Sequence, residues 1–365
     1  MKFKKIVTIL GARPQFVKAA VLSRVISEKN EIEEVIVHTG QHFDNNMSEV
    51  FFTEMEIPKP KYNLNINGLS HGAMTGQMLE KIEEVLIKEK PDAVVIYGDT
   101  NSTIAGALAA KKLDIKVVHI EAGLRSFNMQ MPEEINRILT DRISDLLLCP
   151  TDTAIKNLKN EGFNNLDIEV VKSGDIMKDA VAFYSKYSAE RSTIIKDLGL
   201  QNKDFVLATI HRQENTDNLQ KLKSIFEGLE IIANEFPVVL PIHPRTRKIL
   251  KENNLEYNLV MIEPVGYFDM LELLKNCKMV VTDSGGLQKE AFFNKKYCII
   301  AREETEWIEL VENGFAKIAG SDKQQMLDAF DHFKNCNSDF DIDLYGDEVG
   351  ESIYNSIRSL LKINK

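Results

Sequence analysis

Short apolar runs recur along the first half of the chain, at residues 6–10, 34–38, 94–97, 117–120, 146–149 and 169–172. Each is too short for a helix and reads as a strand. Between them lie stretches with apolar positions three and four apart. In residues 76–88, for example, Met78, Leu79, Ile82, Val85 and Leu86 recur at helical spacing. Alternating strands and helices predict βαβ units and a parallel sheet. The pattern restarts near Asp204, and residues 205–210, 238–242, 259–262, 279–282, 298–301 and 316–318 read as strands of a second sheet. The expected fold is α/β, with two doubly wound, Rossmann-like domains facing a cleft. Residues 1–172 form the first, joined by a closing helix over 351–365, in which Ile353, Ile357, Leu360 and Leu361 share one face. Residues 173–350 form the second.

A chain of 365 residues exceeds most single cores, in keeping with two domains. Hydrophobic content of 44% and charged content of 27% are ordinary for a soluble globular protein. A net charge of −10 argues against nucleic acid as a partner. The opening MKFKKIVTIL is broken early by Gly11-Ala12-Arg13-Pro14, so it reads as a first strand and not as a signal peptide. No apolar stretch approaches the roughly 20 residues of a membrane span, so no membrane partner is expected. Cys149, Cys277, Cys298 and Cys336 are widely spaced with no C-x-x-C, which points to reduced thiols and a cytoplasmic location.

The chemistry gathers at strand ends. One strand runs into Gly98-Asp99-Thr100, the next into Glu121-Ala122-Gly123-Leu124-Arg125, and Pro132-Glu133-Glu134 follows. The carboxyl ends of strands line the ligand crevice of open α/β sheets, so these acids suggest a pocket for proton transfer, and hence an enzyme. Glu133 and Glu134 also suit the solvated first turn of a helix starting at Pro132. The first strand opens through Gly11-Ala12-Arg13-Pro14 into a helix carrying Lys18. Helix N-terminal N–H groups and Arg13 suit an anion, whereas the absence of G-x-G-x-x-G leaves no nicotinamide site. In the second half, Asp283-Ser284-Gly285-Gly286 follows a strand, with Glu290 further along. Two glycines there permit close approach of a diphosphate, and Glu290 suits ribose hydroxyls. A purely structural glycine turn capped by Asp283 is the alternative. His211-Arg212 and His243-Pro244-Arg245 also follow strands, and His243 is taken as a substrate-binding residue. His38 and His119 lie in or beside apolar runs and read as packed. Glu303-Glu304 reads as the start of a helix. No metal-ligand spacing occurs, so neither metal nor cofactor is assigned.

These motifs together resemble the non-hydrolysing UDP-N-acetylglucosamine 2-epimerase family over essentially the whole chain. GARPQFVK, GDTNST, HIEAGLRS, MPEEINR, the His-Arg after the second-domain strand and DSGGLQKE stand in the family's order. The resemblance implies a fold similar to two-Rossmann GT-B glycosyltransferases, a UDP-sugar substrate and a homodimer. By it, Arg13, Lys18, Asp99, Glu121, Glu133, Arg137 and His211 match active-site positions. Ser284, Gly285, Gly286 and Glu290 match UDP-binding positions. Two segments depart from the family. Trp307 stands where many members carry Arg, and Gln41-His42-Phe43-Asp44 keeps part of an activator-binding pattern. GARPQF with TEW resembles the UDP-2,3-diacetamido-2,3-dideoxyglucuronate 2-epimerase branch.

The reaction the family implies makes definite demands. C2–H of a 2-acetamido sugar is not acidic, so UDP departs first and an oxocarbenium-like centre acidifies it. A carboxylate then removes the proton to leave a 2-acetamidoglucal. Proton return to the other face and re-addition of UDP give the epimer. Cations and N–H groups at Arg13, His211 and Gly285-Gly286 suit the departing diphosphate. Asp99, Glu121, Glu133 and His211 are the expected catalytic set, and clustered acids are expected to raise one another's pKa. UDP-N-acetylglucosamine and UDP-N-acetylmannosamine rank first as the substrate pair, with the diacetamido uronate as alternative. A GT-B glycosyltransferase is the reading from another class.

Overall fold

The computed structural model describes residues 3–41 and 57–363. Its first sheet contains β1 (Lys4–Leu10), β2 (Ile32–His38), β3 (Tyr62–Asn63), β4 (Ala93–Tyr97), β5 (Lys116–Ile120), β6 (Leu146–Cys149) and β7 (Glu169–Lys172). The second contains β8 (Val206–Thr209), β9 (Val238–Pro241), β10 (Val260–Ile262), β11 (Met279–Thr282), β12 (Tyr297–Ile300) and β13 (Ala316–Ile318). Every pairing is parallel. The strand orders are β3-β2-β1-β4-β5-β6-β7 and β10-β9-β8-β11-β12-β13. The two sheets are therefore wound alike. Each grows outward from its first strand, then returns to that strand's other side, so the order reverses between β1 and β4 and between β8 and β11. At such a reversal neighbouring connections leave toward opposite faces and open a crevice at the strand ends.

Helices cover both faces, which is why the strands read as unbroken apolar runs. Val7, Ile9, Val94 and Ile96 are fully buried beneath Met78, Ile82 and Leu86 of the helix His71–Glu89 and the alanines of the helix Asn101–Lys112. That second helix lies close because Gly106 faces the sheet; a Cβ there would stand 2.7 Å from Ile9 Cδ1. All twelve apolar runs form strands. β3, two residues long, was not anticipated because two residues carry no periodicity.

The chain divides into two compact units, Met1–Ala180 with Asp343–Lys365, and Val181–Ile342. The boundaries expected from sequence stood at 172 and 350. No loop marks the first crossing, since it falls inside the helix Ile176–Arg191. The closing helix, Val349–Leu360, completes the first unit. Glu351 pairs with Lys29 at 2.8 Å, Tyr354 donates to Glu31 at 2.8 Å, and Gly350 lies against Val21. Among the described residues no helix is long and apolar enough to cross a membrane.

Candidate active site

The order reversal of the first sheet is held by one side chain. Gln15, in the first turn of the helix Arg13–Lys29, accepts from the Gly11 and Ala12 N–H groups at 2.8 and 3.0 Å. Its amide donates to the Tyr97 carbonyl at 2.7 Å and to the Thr100 and Thr103 hydroxyls at 3.1 Å. Gly11 admits no side chain, since a Cβ would stand 2.0 Å from Ser102 Oγ and 2.4 Å from Thr39 Oγ1. Arg13, half-buried, opens this helix, and Lys18 is buried on it.

Asp99 and Glu121 stand at the ends of neighbouring strands, and each has its own cation. Arg137 donates to Asp99 Oδ2 at 2.5 Å, and Asn136 donates to the Asp99 carbonyl at 2.9 Å. Lys18 pairs with Glu121 across the first turn. Glu121 adopts φ +73°, and its N–H and that of Ala122 both point to the Leu148 carbonyl. A left-handed non-glycine residue costs about 1–2 kcal/mol, a strain typical of functional sites. Gly98 turns at φ +61°, and a Cβ there would lie 3.2 Å from Glu121 Oε2. The Glu121 carboxylate thus rests against the residue that precedes Asp99.

The helix Pro132–Ile143 separates the two glutamates the sequence left together. Glu134 is fully buried and accepts from Ser126 N, Ser126 Oγ and Phe127 N at 2.9, 3.0 and 2.9 Å, so it ties down the preceding loop. Glu133 is half-buried, and among the described residues its carboxylate has no hydrogen-bond or ion-pair partner. His119 is buried as expected, but it is fully bonded, to Asp141 and to the Gly98 carbonyl. Of the Gln41–Asp44 segment, residues 42–44 lie outside the described residues.

The second unit builds its reversal around Asp283, which is not a helix cap. It is fully buried and accepts from His211 N, Arg212 N and Asn215 Nδ2 at 2.9, 2.9 and 3.1 Å. The β8 turn is thereby locked to the β11 turn. His211, 42% exposed, faces Asp283 through Nδ1 at 3.3 Å. His243 caps the helix Pro244–Glu252, with Nδ1 accepting from Arg245 N at 3.2 Å, and its ring centre lies 6.4 Å from that of His211. Burial, then the neighbouring His211 and Arg245, push the His243 pKa below its ordinary value. Its proton therefore resides on Nε2, which leaves a neutral donor. Ser284 precedes the helix Gly285–Phe293, on which Glu290 is half-buried. Nothing lies within 4 Å of a Cβ placed on Gly286, while one on Gly285 would meet Glu306, Arg302 and Trp307 at 3.6–3.8 Å.

Several residues escaped the sequence reading. Gln15 and Asp141 act through partners as far as 88 and 22 positions away, and Asp283, read as a possible cap, acts through partners up to 72 positions away. Near Gly285 the positive charge comes from Arg302, paired through both nitrogens with Glu306 at 3.1 Å, and from Lys289, 3.9 Å above the buried Trp307 ring. Glu303 and Glu304 do not begin a helix; that helix starts at Ile308, and the Glu303 carboxylate packs against Gly320. No group of three or more His, Cys, Asp or Glu residues suited to a metal ion occurs among the described residues.

A family model described as UDP-N-acetylglucosamine 2-epimerase matches residues 24–357. UDP-2,3-diacetamido-2,3-dideoxy-D-glucuronate 2-epimerase of Pseudomonas aeruginosa is 55% identical over 327 residues, 89% of this chain and 91% of the relative. UDP-N-acetylglucosamine 2-epimerase of Methanocaldococcus jannaschii is 45% identical over 341 residues, 91% and 92% of the two chains. A crystal structure of the M. jannaschii UDP-GlcNAc 2-epimerase in complex with UDP-GlcNAc and UDP is similar with a TM-score of 0.89 and 42% identity. The likeness covers 98% of this chain and 99% of that one. The chain belongs to the UDP-N-acetylglucosamine 2-epimerase family, isomerases that act on UDP-sugars.

Proposed function

We propose that the protein inverts C2 of a UDP-2-acetamido sugar without hydrolysis, by eliminating UDP to a 2-acetamidoglucal and adding it back. The observation that carries this reading is the pair of strand-end acids, Asp99 with Arg137 and Glu121 with Lys18, at the reversal of a doubly wound sheet. In this reading Asp99, Glu121 and Glu133 exchange protons with the two faces of C2. In the first unit Arg13 suits an anion, and in the second His211, the donor His243 and the Ser284-Gly285-Gly286 turn suit a diphosphate, with Glu290 suited to ribose hydroxyls. Lys18 and Arg137 orient the acids. Incubation with UDP-2-acetamido sugars in deuterated water tests it: deuterium appears at C2 of both epimers, and absence of exchange across a panel of donors removes the reading.

Two sugars have separate support. The 45% relative is named for UDP-N-acetylglucosamine, and the 55% relative for the diacetamido uronate. The higher identity moves the weight to the uronate, relative to the order expected from sequence. Side-by-side kcat/KM on both donors decides between them, and a preference of about 100-fold corresponds to about 2.7 kcal/mol of transition-state discrimination.

We also propose a homodimer. The exposed apolar side chains Phe127, Met129, Ile135 and Leu139 are the surface that supports it, since Ile135 and Leu139 lie one turn apart on a single helix. Sedimentation of wild type against Leu139→Asp tests this. Buried Cys149, Cys277 and Cys298 suit a reducing cytoplasm.

A further inference from the structure

Glu134, Arg137 and Asp141 are buried along one face of the helix Pro132–Ile143. The first holds a loop and the second holds Asp99, but the third touches neither proposed acid. Asp141 instead ends a chain of contacts that reaches both of them. One of its oxygens meets His119 Nδ1 at 2.8 Å, and His119 Nε2 meets the Gly98 carbonyl at 2.7 Å. Its other oxygen accepts from Gly123 N at 3.1 Å and from Arg125 Nη1 at 2.7 Å. Arg125 in turn donates to both oxygens of Glu161.

We propose that His119 and Asp141 are positioning residues for proton transfer, a buried pair that sets the turn carrying Asp99 and the turn carrying Glu121 together. The proposal rests on the epimerase reading above. The Gly98 carbonyl belongs to the peptide that leads into Asp99, and Gly98 turns at φ +61°, a conformation with no side chain to hold it. His119 fixes that peptide from below. The Gly123 N–H lies two residues beyond the left-handed Glu121, and Gly123 itself turns at φ +78°. Asp141 fixes that peptide from the other side. Both residues are fully buried, so neither reaches a substrate, and their action passes through backbone.

The hydrogen bonding explains why these residue types are needed. His119 Nδ1 faces a carboxylate and Nε2 a carbonyl, so the ring bridges two acceptors that no hydrocarbon side chain could hold. Arg125, bonded to Asp141 and to Glu161, answers the buried carboxylate, the condition under which a charge survives burial. Burial raises the Asp141 pKa, but His119 and Arg125 outweigh it and hold the carboxyl below its ordinary value. A residue at 119 with no N–H donor leaves the Gly98 carbonyl without its partner, and Asp99 loses its register with Arg137.

The test uses the full chain and four variants: His119→Phe, which keeps a ring and removes both bonds; His119→Gln, which keeps an amide donor; Asp141→Asn; and the double variant His119→Phe with Asp141→Asn. The readings are kcat, KM, UDP affinity by calorimetry and the melting midpoint. His119→Phe and Asp141→Asn are expected to lower kcat by about 10²-fold, the effect of misplacing reacting groups by about 1 Å, with KM and UDP affinity within a few-fold of wild type. His119→Gln is expected to recover part of kcat. The double variant should cost little more than either single one, because the two residues act in series. Unchanged kcat in folded variants overturns the proposal. So does a kcat loss that tracks lost UDP affinity or melting midpoint, and so does failure of both positions to fold when substituted. Deuterium exchange at C2 by the wild type is measured alongside. Its absence removes the epimerase reading itself, whereas its presence with insensitive variants removes only the positioning role.

Discussion

The Gln15 amide donates to the Tyr97 carbonyl at 2.7 Å while its oxygen receives the Gly11 and Ala12 N–H groups, so two strand-to-helix turns form one rigid piece. With the side chain 2% exposed, water cannot replace those bonds. Gln15→Ala leaves buried backbone groups unpaired, each worth about 1–3 kcal/mol, and chemical unfolding should show a loss of at least ~2 kcal/mol. Gln15→Glu keeps the acceptor but offers no donor to Tyr97, so it should not rescue. Wild-type stability in the alanine variant would show that the turns hold without the staple.

Asp99→Asn, Glu121→Gln and Glu133→Gln should each reduce turnover by about 10²-fold or more, with UDP affinity nearly unchanged. Glu121→Gln removes the charge that neutralises buried Lys18, so it should also lower stability, whereas half-buried Glu133 should not. Steady-state kinetics with calorimetric UDP binding checks this. Near-normal turnover in all three variants would end the proton-transfer assignment.

Two glycines offer a matched contrast. Gly11→Ala drives a methyl into Ser102 and Thr39, and overpacking of this kind costs about 1–3 kcal/mol. Gly286→Ala meets open space. Its melting midpoint should stay put while UDP affinity falls, if a diphosphate approaches that backbone. Equal UDP binding by Gly286→Ala would move the diphosphate elsewhere.

Burial lowers the His38 pKa from 6.5 to about 4. The folded state therefore resists the proton that the unfolded chain takes up at higher pH. The stabilisation is complete above pH 6.5 and is lost as pH falls to about 4, by up to about 3 kcal/mol. His38→Phe should keep the packing against Phe16, now 5.1 Å between ring centres, and flatten the unfolding midpoint across that window. An unchanged slope in the variant would assign the pH dependence to other groups.

The strands were legible because parallel strands buried on both faces need continuous apolar runs, and these stand out between amphipathic helices. The site turns were legible for a related reason: in such a sheet, function gathers where strands end. Pairings were not. That Lys18 answers Glu121, and Arg137 answers Asp99, depends on which strands are neighbours, and no local pattern carries that information. Glu133 and Glu134 look alike in sequence and part company only when the helix turns one inward. Trp307 was read for the charge it lacks, yet its role in the fold is to sit beneath Lys289.

The closing helix Val349–Leu360, seated on Lys29, Glu31 and Val21, has a consequence for how the protein is made. During synthesis the first unit lacks its last piece until all of Val181–Ile342 has been translated. The second unit is continuous in the chain and can close as it emerges. The first must keep the apolar flank of its opening helix waiting for a segment more than three hundred residues later. Birth order and completion order are thus reversed, and a ribosome stalled before residue 343 leaves the earlier-made half as the unfinished one.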